Sequence, residues 1–320
     1  MLTLRKNWWP TVRGTLAVAV ALASAVAASP LAAQEVAQSR RHAIIIAGLP
    51  GDSDHQARYQ RYIAAWHTWL EANGWNSEQI HIACGWDVPP KPTLTFAKRD
   101  NIMQLFRSLA ERMSEQDELW IFFLGHADYD GSHARLHIPG PDLRDVEYAE
   151  LLAGLPARRV VIWATTANSG WFLRHLSQPG RVVVTATSAE AEPNETEFPE
   201  VLTEVLMGPL AEADRNKDGQ LSVLELFLRT ATLVQQRYDA DQRTATEHAL
   251  LDDDGNGTGS EVDALMSYFA SASPPSGSDN TVTVEQPDTK AIDGAVADGI
   301  MATLPSQTAP AVDDSEPTDR

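Results

Sequence analysis

The chain has 320 residues, 43% of them hydrophobic, and its 25 Lys and Arg against 44 Asp and Glu give a formal net charge of −19 at pH 7. So acidic a chain opposes binding to nucleic acid and to anionic lipid, and it favours the attraction of cations. The single cysteine, Cys84, excludes an internal disulfide, so the fold depends on a hydrophobic core.

The N-terminus has the pattern of a secretory signal. Arg5, Lys6 and Arg13 precede the uncharged stretch 15–28, made mostly of Ala, Val and Leu, and small residues follow. We predict that residues 1–33 are a cleaved signal peptide, which makes the protein secreted or periplasmic. Cleavage removes three positive charges, so the net charge goes from −19 to −22. The alternative is an uncleaved membrane anchor, but about 14 apolar residues fall short of the roughly 20 that cross a bilayer. No membrane span is expected after cleavage.

Strand and helix patterns alternate from residue 42 onward. Runs such as 44–46 and 182–184 are apolar on both faces, as in strands that helices cover on both sides. The predicted strands are 43–47, 79–83, 118–124, 159–164 and 181–186, and the predicted helices are 56–72, 98–113, 146–152 and 170–176. This rhythm predicts an α/β fold with a mostly parallel sheet. Functional residues are then expected on loops at the carboxyl ends of the strands.

Residues 214–225 fill every position of a 12-residue EF-hand loop, and the predicted cofactor is Ca²⁺. Gly219 makes the sharp turn at position 6, and Leu221 at position 8 is expected to point into the core. The predicted ligands are Asp214, Asn216, Asp218, Gln220 through its carbonyl, Ser222, and Glu225 with two oxygens. The alternative is an acidic turn in which Ser222 and Glu225 form a capping box for the next helix. The two interpretations are compatible.

A second candidate calcium loop is less complete. Its predicted ligands are Asp252, Asp254, Asn256, Thr258 and Asp263, with Ser260 at position 9. Gly259 replaces the usual apolar residue, and Asp263 is shorter than the usual Glu. The alternative is a Gly-rich acidic turn. The loops start 38 residues apart, as in a pair of EF-hands, although Gly208 and Pro209 interrupt the helix that would enter the first loop.

The C-terminal part of the chain has the composition of a disordered tail. Residues 271–320 contain no aromatic residue, nine acidic residues and two basic ones. Residues 291–304 are the one part that could form a short helix against a partner. We therefore divide the chain into a linker at 34–41, an α/β domain at 42–195, an EF-hand-containing helical region at 196–268 and a disordered acidic tail at 269–320.

Two polar sequences follow two of the predicted strands. Gly125-His126-Ala127-Asp128 follows strand 118–124, and Thr165-Thr166-Ala167-Asn168-Ser169-Gly170 follows strand 159–164. In these motifs and their spacing, residues 42–190 resemble the caspase-like fold, specifically the legumain-like C13 cysteine peptidases. The resemblance implies that His126 stands at the catalytic histidine position and residue 167 at that of the nucleophilic cysteine.

Residue 167 is alanine, so the nucleophile that the resemblance calls for is absent. The resemblance then implies a catalytically inactive pseudo-peptidase with a binding or structural role, and a peptide or protein ligand in the cleft near His126. The rival interpretation is an active hydrolase that uses Thr166, Ser169 or Cys84 with His126. A purely structural, calcium-stabilised envelope protein is the third.

Two side chains in this region have simpler interpretations. Cys84 is interpreted as a small apolar residue at a strand end, and His126 as either a cleft residue or a remnant of packing. His133 and His137 show no ligand spacing with a third group, which argues against a zinc site.

Overall fold

The computed structural model describes residues 39–88, 91–272 and 293–303. Its strands are β1 (Arg41–Ala47), β2 (Ile80–Cys84), β3 (Leu94–Phe96), β4 (Glu118–Leu124), β5 (Ala127–Tyr129), β6 (Ala134–Leu136), β7 (Leu143–Arg144), β8 (Arg159–Ala164), β9 (Arg181–Thr185) and β10 (Leu250–Asp252). Seven of them form one sheet in the order β10-β9-β8-β4-β1-β2-β3, and β5, β6 and β7 form a small antiparallel sheet. All pairings in the large sheet are parallel except that of β10 with β9.

Helices cover both faces of the large sheet. They are α1 (Ser53–Ala72), α2 (Arg99–Ala110), α3 (Asp145–Ala153), α4 (Leu173–Leu176), α5 (Phe198–Met207), α6 (Leu210–Ala213), α7 (Val223–Ala240), α8 (Val262–Ala272) and α9 (Ala295–Asp298). The core on one face includes α1, α5 and α7, and the core on the other includes α2, α3 and α4. Among the described residues, no helix is both long and apolar enough to cross a bilayer.

Strand β1 shows why the central strands are apolar throughout. Side chains alternate between the faces of a strand, and here Ile45 belongs to one core while Ile44 and Ile46 belong to the other. All three are fully buried. Both faces are covered, so every position needs an apolar residue, and the predicted α/β fold with a mostly parallel sheet is confirmed.

The observed elements follow the sequence patterns closely at the centre of the sheet and less closely at its edges. β4 and β8 have the predicted bounds, 118–124 and 159–164. The predicted helix 170–176 is a 3₁₀ turn, Ser169–Phe172, followed by α4. The short edge strands β3 and β10 have no counterpart among the predicted strands.

The two predicted folded regions, 42–195 and 196–268, share one core. β10 from the second region pairs with β9 from the first, with Leu251 beside Val184. Val201 of α5 and Leu226 of α7 are fully buried in the core that also contains Trp66 of α1. Residues 196–268 are therefore part of the α/β domain and do not form a separate helical region.

The prediction of a disordered tail at 269–320 is wrong for residues 269–272, which are the end of α8, and for residues 293–303. Ala297, Ile300 and Ala302 are buried at 1% exposure or less, because they pack against the same core as α7. The short helix expected within 291–304 is α9, and it contacts this chain itself. The rest of the predicted tail from 273 onward lies outside the described residues, as do the predicted signal peptide 1–33 and most of the linker.

Candidate functional site

His126 and Ala167 line one cavity of about 610 Å³, at the carboxyl ends of the neighbouring strands β4 and β8. The imidazole Nε2 of His126 lies 3.3 Å from the Pro50 carbonyl oxygen. Its ring centroid lies 5.3 Å from that of His55 and 6.4 Å from that of Tyr59, both from α1. The fold thus brings His126 and Ala167 to one cleft, as the resemblance implies.

The turn that carries Ala167 is fixed by its neighbours. Asn168 has a φ of 53°, in the left-handed region, and its side-chain amide donates to the Ala127 carbonyl at 3.2 Å. At Gly170 an added Cβ would lie 2.1 Å from the carbonyl carbon of Ser188, so no larger residue fits. The chain keeps an ordered turn here although the side chain at 167 is only a methyl group.

The three alternative nucleophiles are buried outside the lining of the cavity that contains His126. Ser169 is fully buried, and its Oγ accepts hydrogen bonds from the amides of Ala186 (2.9 Å) and Thr187 (3.0 Å). Thr166 is 1% exposed and Cys84 3% exposed, and burial raises the pKa of the Cys84 thiol to about 12. Among the described residues, none of these three lines the cavity.

Charged residues that the sequence did not single out also line the cavity, among them Arg58, Glu195 and Arg243. Beside it, His55 lies 2.8 Å from a carboxylate oxygen of Asp52 and 3.2 Å from one of Glu195. The hydrogen bond with Asp52 raises the pKa of His55. Asp52 before an amphipathic helix is a recognisable N-cap signal, whereas Glu195 is 140 residues away and no local pattern marks it.

The first candidate calcium loop, 214–225, is held by successive side-chain-to-backbone hydrogen bonds. Asp214 Oδ2 accepts from the Gly219 amide at 2.9 Å, Asn216 Oδ1 from the Asp218 amide at 2.9 Å, and Asp218 Oδ1 from the Gln220 amide at 2.8 Å. The other oxygen of Asp214, Oδ1, is buried and has no hydrogen-bond partner within the described part of the chain. A buried carboxylate oxygen without a partner is costly, so this atom is the candidate ligand of the loop.

Glu225 closes this loop from the start of α7. Its Oε1 accepts from the amides of Arg215 (2.9 Å) and Asn216 (3.2 Å), and its Oε2 accepts from the Ser222 amide (3.0 Å). Ser222 Oγ in turn accepts from the Glu225 amide at 3.1 Å. The capping-box interpretation is therefore confirmed, and Glu225 ties both ends of the loop together.

The second loop has an acidic partner that differs from the predicted one. Asp252 and Asp254 meet Asp293, each offering one oxygen within 4.8 Å of the others, whereas Asp263 is exposed on α8 and is not in this group. Asp293 also accepts from Ser260 Oγ at 2.6 Å. Burial raises the pKa of Asp293 to about 6.

The other two predicted ligands of the second loop lie on its exposed side. Asn256 Oδ1 accepts from the Thr258 amide at 2.6 Å, and the Asn256 side-chain amide donates to Asp254 Oδ2 at 2.7 Å. The loop is thus folded by the same kind of hydrogen bonds as the first one.

Residues 293–303 reach the first loop as well. The Ala302 amide donates to the Leu221 carbonyl at 2.6 Å, and the Leu221 amide donates to Thr303 Oγ1 at 2.7 Å. Ser222 Oγ lies 3.4 Å from Asp298 Oδ1. Position 8 of the first loop therefore pairs with this segment and not with the second loop.

Comparisons with solved structures find a similarity of fold. No protein-family model matches the chain, and no curated protein matches it. The fold is similar to the crystal structure of caspase-1 from Spodoptera frugiperda, with a TM-score of 0.42 and 12% identity over 68% of this chain and 87% of that one.

Proposed function

We propose that this protein binds Ca²⁺ through the loop 214–225, on a caspase-like domain that has lost peptidase activity. The buried Oδ1 of Asp214, unpartnered among the described residues, carries the calcium proposal, because a cation would give this oxygen the partner that it lacks. The oxygens of Asn216 and Asp218 and the Gln220 carbonyl would complete the ligand set. Glu225 contributes by holding the loop closed, and its oxygens exchange amide partners for the ion if they ligate directly.

Calorimetric titration of Ca²⁺ tests this proposal. Asp214→Ala removes the unpartnered oxygen, so we expect it to abolish the tighter binding event or weaken it by more than about tenfold. Glu225→Ala should weaken binding too, because the loop ends come apart. Asp239→Ala, an exposed carboxylate near the end of α7, is the matched control and should bind as the unaltered protein does. Equal heats and stoichiometry for Asp214→Ala and Asp239→Ala would remove the assignment.

A second, weaker calcium site is proposed at the loop 252–260. Asp252, Asp254 and Asp293 supply its carboxylates, and Asn256 and Thr258 supply neutral oxygens. We expect two ions per chain for the unaltered protein and one for Asp293→Ala. A stoichiometry of one for both proteins would restrict calcium binding to the first loop.

The loss of peptidase activity rests on Ala167. The cavity presents His126 without a thiol among the described residues that line it, and the hydroxyl of Thr165, which does line it, donates to the Phe123 carbonyl at 2.7 Å. Without a nucleophile only the small acceleration from binding and oxyanion donors remains. The cleft is then a binding site for a peptide or protein.

We expect no turnover of peptide substrates that contain an Asn or Asp cleavage site, either with or without Ca²⁺. If the protein does turn over these substrates and His126→Ala abolishes the turnover, then the protein is an active hydrolase. Thr166, Ser169 and Cys84 would then be the candidate nucleophiles.

Export is the remaining part of the proposal. Residues 1–33 carry the features of a signal peptide, and Ca²⁺ is abundant outside the cytoplasm. The intact mass of the protein recovered from culture fluid or periplasm should match a chain that begins near residue 34. A full-length mass in the membrane fraction would favour the anchor.

A further inference from the structure

Metal-binding side chains also meet far from the calcium loops in sequence. His133 precedes β6, Asp145 begins α3, and His175 lies in α4. One imidazole nitrogen from each histidine and one carboxylate oxygen all lie within 4.8 Å of one another. The expectation that His133 has no third group beside it is therefore wrong. Local spacing could not reveal the group, because three separate elements contribute to it.

Asp145 is positioned in advance by the backbone. Its side chain is 1% exposed, its Oδ1 accepts from the Val146 amide at 2.8 Å, and its Oδ2 accepts from the Ala134 amide at 3.2 Å. These two hydrogen bonds leave each oxygen with a further lone pair, since a carboxylate has about four acceptor sites. The remaining acceptor positions are available to a metal ion.

The spacing of the three side chains suits a single ion. His133 Nδ1 lies 2.9 Å from Asp145 Oδ1, and His175 Nε2 lies 3.9 Å from Asp145 Oδ2. Two atoms that each bind a tetrahedral ion at about 2.1 Å are about 3.4 Å apart. The two observed separations, each to a different oxygen of Asp145, lie on either side of this value. One donor atom from each of the three residues lies within 4.8 Å of the others, so side-chain rotations can bring the three onto one centre.

We propose that His133, Asp145 and His175 bind a divalent transition-metal ion of the Zn²⁺ class. Imidazole nitrogen favours Zn²⁺ and related ions, whereas Ca²⁺ prefers the all-oxygen sets of the acidic loops. The side chains of His133 and His175 are 27% and 28% exposed, so an ion can enter from solvent and keep a water as its fourth ligand.

Asparagine substitutions distinguish a metal site from a simple hydrogen bond between His133 and Asp145. The side-chain amide that His133→Asn introduces can still donate to Asp145, but an amide is a poor Zn²⁺ ligand. His175→Asn leaves the contact between His133 and Asp145 untouched. His137→Asn is the matched control, because His137 lies near the same hairpin and contacts Asp128 at 3.4 Å.

The experiment is calorimetric titration of Zn²⁺ into chelator-treated protein at saturating Ca²⁺, which keeps the acidic loops occupied. We expect one Zn²⁺ per chain, at least about tenfold weaker binding in both His133→Asn and His175→Asn, and unchanged binding in His137→Asn. Absence of Zn²⁺ binding to the unaltered protein would overturn the proposal. So would binding that survives in His175→Asn or weakens equally in His137→Asn.

Co²⁺ binding provides a second measurement, which uses the unaltered protein and so does not depend on whether a variant folds. Co²⁺ in a tetrahedral site with nitrogen ligands gives intense visible absorption, which Zn²⁺ should abolish by displacement. A weak octahedral spectrum from the unaltered protein would mean that Co²⁺ binds only to water and surface carboxylates, and it would contradict the site.

Discussion

Residue 167 determines which chemistry the cleft can perform. A cysteine-histidine mechanism needs a thiolate to attack and an imidazolium to protonate the leaving group. In this protein His126 remains in the cavity while Ala167 supplies only a methyl group. The turn around it is ordered by Asn168 and Gly170, so a single substitution can test whether the cleft has the geometry of a cysteine peptidase.

The substitution Ala167→Cys should create a thiol that reacts faster than Cys84. Cys84 is 3% exposed with a thiol pKa of about 12, whereas residue 167 lines a cavity beside an imidazole. We expect alkylation by iodoacetamide at 167 to be at least about a hundredfold faster at neutral pH, measured by peptide mapping of one sample over time. Adding His126→Ala should slow the reaction at 167 alone. Equal rates at the two cysteines would show that the turn no longer presents residue 167 to the cleft.

A buried histidine in β2 gives the protein a specific acid sensitivity. His81 is 4% exposed, and burial, with smaller contributions from Arg112 and His42, lowers its pKa from 6.5 to about 4. Between these values the unfolded chain binds a proton that the folded chain does not, so stability falls as the pH falls from 6.5 towards 4. His81 contributes up to about 3 kcal/mol to this loss.

The substitution His81→Leu removes this titration and fits an apolar strand. Urea unfolding at pH 7 and pH 4.5 should show a smaller loss of stability on acidification than in the unaltered protein. His67→Leu is the control, because His67 is partly exposed on α1 and pairs with Glu71 at 3.3 Å. An identical acid loss in His81→Leu and the unaltered protein would contradict the assignment.

The segment 293–303 is the part of the described chain that is least evident from the sequence. It pairs with Leu221 of the first loop, and Asp253 of the second loop accepts from the amides of Val296 and Ala297 at 2.8 Å. Its contacts thus reach both candidate calcium loops. It behaves as a structural element of the domain, although its surroundings in sequence are polar and rich in Pro and Ser.

Two apolar residues of this segment make a matched pair for a stability test. Ile300 is 1% exposed and Val296 is 44% exposed. Ile300→Ala should lower the free energy of unfolding by about 2 to 4 kcal/mol, because it leaves a cavity in the core. Val296→Ala should change it by no more than about 0.5 kcal/mol. Urea unfolding measures both changes. If neither substitution changes the free energy of unfolding, the segment is detached from the core in solution.

Sequence patterns predict well those elements whose residues are apolar because the element is buried. β4 and β8 are continuous apolar runs, and burial on both faces of a sheet leaves no other choice of residues. β10 has only three residues, and Asp293 meets Asp252 across about 40 residues of chain, so neither has a local signal. The resemblance supplied His126 and residue 167, whereas Glu195 and His175 reach their partners only through the fold.

Calcium should act as a ligand that stabilises the folded protein. An ion that binds only the folded state adds about 2.7 kcal/mol at a hundredfold excess over Kd, and the Kd of extracellular calcium modules is on the order of 10⁻⁴ to 10⁻³ M. The net charge of −19 adds to the effect, because bound cations offset repulsion among carboxylates. Ca²⁺ should therefore raise Tm, and Mg²⁺ should raise it much less.

Differential scanning calorimetry with Ca²⁺, Mg²⁺ and a chelator measures this shift. Asp214→Ala should lose most of the calcium response while Asp239→Ala retains it. A melting temperature that responds equally to both cations would point to general screening of charge and away from a specific site.

The docking of residues 293–303 also has a consequence for proteolysis. Residues 273–292 join this segment to α8, so a single cleavage there leaves the domain and a short C-terminal peptide as separate molecules. Ile300, Ala302 and the hydrogen bonds to Leu221 and Asp253 would hold the two pieces together without a covalent link. A nicked protein should therefore elute as one species and separate only in denaturant. A synthetic peptide of residues 293–303 should bind the shortened chain and restore its lost stability, as in fragment complementation.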